Sequence, residues 1–428
     1  MSCKFLRALA TIVVTLALLT GLASHATAAA KKWEPTPGPF LSIPQSTLPK
    51  KATKAQKRQV TRFPDTVRAM VNAALPGTTV HITTYFTSYK GVVSDVVKRH
   101  KKDRVNFRVV VRAADYRANK KNLDRLRKLL GTNTSKRSWF KVCTGSCYLH
   151  GKKDNAEMHL KVVAVDAIAT PSGTRRYVVL TSSANLSKAS ATKTWNFSNL
   201  YVGRKKVYDA FVSYINGMRH DRTAKKKFAQ VTEGRAKFVF SPKAPDVAYD
   251  TLRQTKTCKP GKGYGQSGRT RIVVLMYIWT GTQVKKAREL TRLAKLGCVV
   301  DIIITGQQTS EKIIKYFKKN AKITTTVKKG KKKVKRSYSL INLHDSRAGK
   351  RYSHVKAMAV SGRAGKKAKQ HFTVVGSANW SKYALTKNCE VTEVHTSGTM
   401  NRAVLSAYDV IRRHTKPLMV RQTLPKLR

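Results

Sequence analysis

His159-Leu160-Lys161, with Asn185 following the histidine by 26 residues inside Ser182-Ser183-Ala184-Asn185-Leu186-Ser187-Lys188, is a pattern the chain writes twice. The second copy is His354-Val355-Lys356, with Asn379 following at 25 residues inside Gly376-Ser377-Ala378-Asn379-Trp380-Ser381-Lys382. Eleven residues beyond each asparagine stands another matched pair, Asn196 and Glu390. One H-x-K carries no information, but two copies, each with S-x-N at a matched distance, are not a chance arrangement. Residues i and i+2 of a strand point to one face, so each copy presents an imidazole and an ammonium together.

Reading outward, the elements around the two motifs repeat in order. Periodicity predicts strands at 79–87, 106–114, 159–165 and 176–181, with helices at 91–99, 119–130 and 207–228. A loop-like stretch at 241–270 precedes a second series: strands at 271–279, 299–305, 355–360 and 372–375, and helices at 283–296, 311–319 and 401–414. Two copies of one α/β unit produce this order. The expected architecture is two similar α/β lobes, each a mixed β-sheet flanked by helices, with one active site at the lobe interface. The expected boundaries are 1–28 for a signal peptide, 29–62 for a basic N-terminal segment, 63–240 for the first lobe, 241–270 for a linker and 271–428 for the second lobe.

These residues resemble the phospholipase D superfamily, whose hallmark is H-x-K-x4-D followed by G-S-x-N, twice. His159, Lys161 and Asp166 fit the first motif, with Ser182 in place of Gly before Ser183 and Asn185. His354, Lys356, Gly376, Ser377 and Asn379 fit the second, but Ser361 stands where the pattern has Asp. The chain is similar to secreted bacterial phospholipases D in its export signal and size. The resemblance implies a phosphodiesterase, hydrolysing phospholipid head groups such as phosphatidylcholine to phosphatidate and choline through a phosphohistidine. A metal-independent secreted nuclease of the same superfamily is the alternative, and a non-catalytic polyanion binder is a third reading.

The chemistry agrees with the residue types. Phosphoryl oxygens need donors, and phosphorus needs a nucleophile unprotonated near neutral pH, so His159, Lys161, Asn185, His354, Lys356 and Asn379 are the catalytic candidates. Asp166, Ser183, Asn196, Ser377 and Glu390 are expected in support, the two serines helping to position phosphate. No cofactor and no metal are expected. By resemblance, Asn196 and Glu390 orient the two histidines, and the expected pairs are His159 with Asn196 and His354 with Glu390. A carboxylate stabilises imidazolium and an amide does so much less, which would make His354 the acid and His159 the nucleophile.

With 86 Lys+Arg against 21 Asp+Glu, the formal charge is +65, which points to an anionic partner: a phospholipid or membrane surface, or nucleic acid. A monomer is expected. Ordinary Gly and Pro content and recurrent apolar runs exclude collagen-like and wholly disordered chains. Lys4 and Arg7 before an apolar run from Ala8 to Ala23, closed by Ala26-Thr27-Ala28, read as a cleaved export signal and a secreted, extracellular protein. Of the mature cysteines, Cys143 with Cys147 and Cys258 with Cys298 are the disulfide candidates, leaving Cys389 over. A weaker rival makes Cys143, Cys147, His150 and His159 a zinc set. The run from Lys328 to Arg336 reads as a solvated hairpin or loop, and Trp195, Trp279 and Trp380 as core or substrate entrance.

Overall fold

Val162–Thr170 and Lys356–Ala364, the strands that leave the two H-x-K motifs, are apolar on both faces, as strands covered on each side by other layers must be. They lie at the centres of two sheets in a computed structural model that describes residues 30–83, 89–149, 156–225, 227–329, 332–347 and 351–422. The leader at 1–28 and His150 lie outside the described residues.

The first sheet runs Gly38–Ser42, Thr194–Tyr201, Gly173–Ser182, Val162–Thr170, Thr79–Thr83, Asn106–Arg112 and Trp139–Cys143. The second repeats that order as Ala236–Phe240, Val391–His395, Lys367–Gly376, Lys356–Ala364, Arg271–Met276, Val299–Ile304 and Ile341–Asp345, with Val231–Glu233 and Lys416–Met419 added at its edges. In each sheet the last three of the seven strands are mutually parallel and the others antiparallel. Helices such as Lys90–Asp103, Lys120–Leu130, Val284–Lys295 and Glu311–Asn320 bury one apolar face against these sheets, and two mixed sheets flanked by helices result.

This topology corrects the expected boundaries. The basic segment 29–62 is built into the first lobe: Gly38–Ser42 pairs with Thr194–Tyr201. Helix Lys54–Ala73 opens in a capping box between Thr53 and Gln56, and its Val60, Phe63, Val67, Met70 and Val71 recur at helical spacing beneath a cationic outer face. Residues 231–240 belong to the second sheet, because Ala236, Phe238 and Phe240 alternate inward and Ala236–Phe240 pairs with Val391–His395. The presumed linker carries helix Val247–Gln254. The Cys258–Cys298 and Cys143–Cys147 bridges are both present, each with Cα atoms 5.0 Å apart, and Cys389 is a buried free thiol. With both thiols spent on each other, the zinc reading loses half its ligands.

The lobes share core. Trp195 and Phe197 of the first pack with Val273, Leu275, Val404 and Tyr408 of the second. Tyr352–Ser353 adds as a short parallel strand to Thr194–Tyr201, and Met158 forms a parallel bridge to Cys389. Each lobe therefore reaches across and pairs, just ahead of its own H-x-K motif, with the strand that carries the other lobe's Asn196 or Glu390. Trp195, Trp279 and Trp380 are all core residues and not an entrance lining. Segments Lys322–Lys329 and Lys332–Ser339 form a hairpin. Among the described residues, no helix is long and apolar enough to cross a membrane.

Candidate active site

Regular strand begins at Val162 and Lys356, not at the histidines, because the histidine backbones are engaged across the lobe interface. The His159 N–H donates to the carbonyl of Cys389 (3.0 Å), and the His354 N–H donates to the carbonyl of Trp195 (2.9 Å). The side chain one residue beyond each acceptor then meets the imidazole. His159 Nδ1 lies 2.8 and 2.9 Å from the two Glu390 carboxylate oxygens. His354 Nδ1 lies 3.3 Å from Asn196 Oδ1.

The pairing is crossed, which overturns the expected His354–Glu390 and His159–Asn196 pairs. The physical reason is the parallel bridging just described: each lobe's orienting residue follows a strand position whose carbonyl is claimed by the opposite histidine. Glu390 only accepts, so Nδ1 of His159 carries the proton and Nε2 keeps its lone pair. The Asn196 amide is oriented by its NH2, which donates to Thr194 Oγ1 (2.6 Å) and the Ser190 carbonyl (3.1 Å), so its oxygen faces His354 and fixes the same tautomer there.

Both rings and both ammonium groups are buried. Burial pushes the His159 ring down, against the upward pull of Glu390. His354 is held well below its ordinary value by burial first, then by Lys356, Lys161 and His159. Lys161 donates to the His159 carbonyl (2.6 Å) and Lys356 to the His354 carbonyl (2.7 Å), an identical anchoring in the two lobes. Burial brings Lys161 down to about 7 and Lys356 well below its usual range. Two ammonium groups lowered chiefly by burial make a site that a bound anion would favour.

Asn185 and Asn379 stand at matched turns leading into helices Lys188–Lys193 and Lys382–Thr386, capped by Ser187 and Ser381. Asn379 Oδ1 accepts from the Ile278 N–H (3.2 Å), whereas Asn185 Oδ1 is buried without a partner. Ser183 and Ser377 are both engaged by backbone at the matched turns. Their hydroxyls accept from the backbone N–H groups of Phe197 (3.0 Å) and Val391 (3.1 Å), tying the asparagine turns to the strands that begin beside Asn196 and Glu390.

Asp166 is not part of the site. It lies five residues beyond Lys161, about 16 Å along a strand and on the opposite face, paired with exposed Arg176 (2.9 Å). Its counterpart Ser361 accepts from the Gly265 N–H (3.2 Å), holding the 260s loop in place. Sequence reasoning missed Tyr277 and Tyr352, whose rings flank His354 with centroids 4.3 and 6.5 Å away. It also missed Lys286, buried behind Trp380 and held by Asp246 (2.7 Å) and Gln283 (2.8 Å). Neither group belongs to the repeated motif that led to the rest.

Residues 266–409 match the family model described as the phospholipase D-like domain of cardiolipin synthase. No curated protein matches the chain. Among solved structures, phosphatidylserine synthase of Haemophilus influenzae superposes with a TM-score of 0.53 at 11% identity, over 84% of this chain and 86% of that one. Polyphosphate kinase of Porphyromonas gingivalis superposes with a TM-score of 0.52 at 12% identity, over 88% of this chain but 50% of the kinase, so this chain spans half its length. Residues 266–409 are thus similar to a phospholipase D-like domain, and over most of its length the chain shares the fold of phosphatidylserine synthase.

Proposed function

We propose that this protein is an exported, metal-independent phosphodiesterase that works through a phosphohistidine on His159. The observation that carries the reading is the crossed pairing: two imidazoles with Nδ1 fixed across the lobe interface, one by a carboxylate and one by an amide. An attacking ring gains positive charge as Nε2 bonds to phosphorus, and Glu390 stabilises that charge in place. His159 thus remains the nucleophile, for a reason opposite to the sequence argument.

In the first step the Nε2 lone pair of His159 forms the P–N bond, the P–O bond to the leaving alcohol breaks, and His354 gives that oxygen its proton. In the second, His354 takes a proton from water, the water oxygen bonds to phosphorus, and the P–N bond breaks. The phosphate itself supplies negative charge. Placed between Lys161 and Lys356, it would counter the burial and the lysine charges that hold His354 neutral and let that ring carry the proton it must give.

For the substrate, a nucleic acid is the better supported class. The formal charge of +65 suits a polyanion. Among the described residues the exposed large hydrophobics Leu296, Val334, Tyr383 and Val420 sit on separate elements, which is not the clustered apolar surface that enters a bilayer. Phospholipid head-group hydrolysis, releasing choline from phosphatidylcholine, is the second reading, favoured by the shared fold with a phosphatidylserine synthase. Incubation in EDTA with single-stranded DNA and, separately, with phosphatidylcholine vesicles tests both. DNA cleavage is the expected result, choline release alone would transfer the activity to lipid, and activity abolished by chelation and restored by zinc would refute metal independence.

A further inference from the structure

On the second-lobe side of the site, Tyr277 and Tyr352 stack on each other, with ring centroids 5.5 Å apart and planes 22° from parallel. Both are half-buried, so part of the pair stays open to solvent. The Tyr277 ring lies 4.3 Å from the His354 ring, and Lys356 Nζ lies 4.7 Å from the Tyr277 centroid. Arg347, exposed, is close enough to act electrostatically on both phenols. Among the described residues the two lobes differ at one of these positions. With the lobes offset by 195 residues, the position matching Tyr352 in the first lobe is Glu157, which is ion-paired with Arg112 at 2.5 Å.

The reaction direction gives the Tyr277–Tyr352 pair a meaning. If His159 attacks in line from the first lobe, the leaving group departs towards His354 and so passes against Tyr277 and Tyr352. We infer that Tyr277, Tyr352 and Arg347 form the leaving-group subsite, and that it takes a nucleotide, its base laid on the tyrosine pair and its next phosphate towards Arg347. Bases stack on aromatic faces regardless of sequence. A quaternary ammonium also favours aromatic faces, but here it would sit among Lys356 and Arg347, like charges beside the same rings. The subsite therefore selects a flat ring carrying negative charge and rejects a choline-like cation. This assignment rests on the phosphodiesterase reading and supplies its substrate class.

The test separates the subsite from the chemistry. Binding of a labelled oligo-dT pentamer to the full chain carrying His159→Ala, followed by fluorescence anisotropy, needs no turnover. Adding Tyr352→Leu should weaken it about tenfold, as loss of one stacked base does, and adding Arg347→Ala should weaken it severalfold and flatten its salt dependence. In the active protein, Tyr352→Leu should raise KM for thymidylyl-thymidine about tenfold with kcat nearly unchanged, and leave KM for glycerophosphocholine where it was. Unchanged oligonucleotide affinity in both variants, or wild-type preference for glycerophosphocholine, would overturn the assignment. Where Tyr352→Leu fails to fold, Arg347→Ala carries the test. Failure of the wild type to hydrolyse bis(p-nitrophenyl) phosphate in EDTA would sink the phosphodiesterase reading instead, while the binding arm still judges the subsite.

Discussion

His159 and Glu390, 231 residues apart in the chain, meet at 2.8 Å through Nδ1 and Oε2, each lobe supplying the partner that orients the other's motif histidine. Neither lobe alone therefore holds a motif histidine together with its orienting partner. Glu390→Gln keeps the hydrogen bond but removes the charge that offsets the developing imidazolium, and is expected to lower kcat by about 100-fold or more. Asn196→Asp places a carboxylate beside His354, raises the pKa of that ring and should move the alkaline limb of the pH–rate profile upward. Steady-state kinetics across pH on the two variants checks both, and a Glu390→Gln protein with normal kcat would refute the role assigned to Glu390.

The covalent phosphoryl group is expected on His159. Acid quench and peptide mapping of the wild type should locate it there. His354→Ala should still form it from a p-nitrophenyl ester, whose leaving group needs little protonation, whereas His159→Ala should not. Phosphate found on His354 in the wild type would show that the carboxylate partner marks the acid and not the nucleophile.

Lys161→Met and Lys356→Met should each cost about 1000-fold or more in turnover, since each removes a charge held for the phosphoryl oxygens. Stability should go the other way. Burial lowers both ammonium groups more than the carboxylates Glu390, Glu157 and Asp115 raise Lys161 or Glu390 raises Lys356, so the Met variants are expected to melt at or above the wild-type temperature in calorimetry. A large fall in Tm would mean that the lysines are structural.

The lowered pKa of Lys161 fixes a pH signature. Folding brings the group to about 7 from an ordinary 10.5, so between those values the unfolded chain binds the extra proton. The Lys161 contribution to stability then rises with pH through that window, and inorganic phosphate affinity falls as pH passes about 7. The difference in Tm between wild type and Lys161→Met, followed from pH 6 to 10, should shrink as pH rises. A constant difference would show that Lys161 keeps its proton throughout.

Cys258 and Cys298 close a loop with a sequence separation of 40 and tie the segment after helix Val247–Gln254 to the second core. The chain-entropy account puts such a bridge at about 4 kcal/mol. Replacing both by Ser should lower the guanidinium midpoint by the corresponding amount while leaving the site chemistry intact. Unchanged stability would mean that the thiols are not joined in solution.

The sequence by itself determined that there are two lobes and which side chains make up the candidate site. Apolar runs of period two and amphipathic runs of 3.6 are local signals, and they placed four of the six parallel strands and the helices between them to within a few residues, but not Trp139–Cys143 or Ile341–Asp345. The doubled H-x-K and S-x-N motifs named both histidines, both lysines and both asparagines because repetition is visible without any contact. Only the tertiary structure decided the rest. Whether Glu390 faces His159 or His354 depends on which strand each lobe offers to the other, and hydrogen bonds from the His159 and His354 backbones to the Cys389 and Trp195 carbonyls leave no mark in residue type. The same holds for Gly38–Ser42 and Ala236–Phe240, whose partners Thr194–Tyr201 and Val391–His395 lie about 155 residues further along the chain. Asp166 fits the motif yet faces away, because strand alternation puts an odd-numbered step from Lys161 on the opposite face. Tyr277 and Tyr352 meet through the docking of the lobes and the pairing of a two-residue strand, a long-range event that no local pattern encodes.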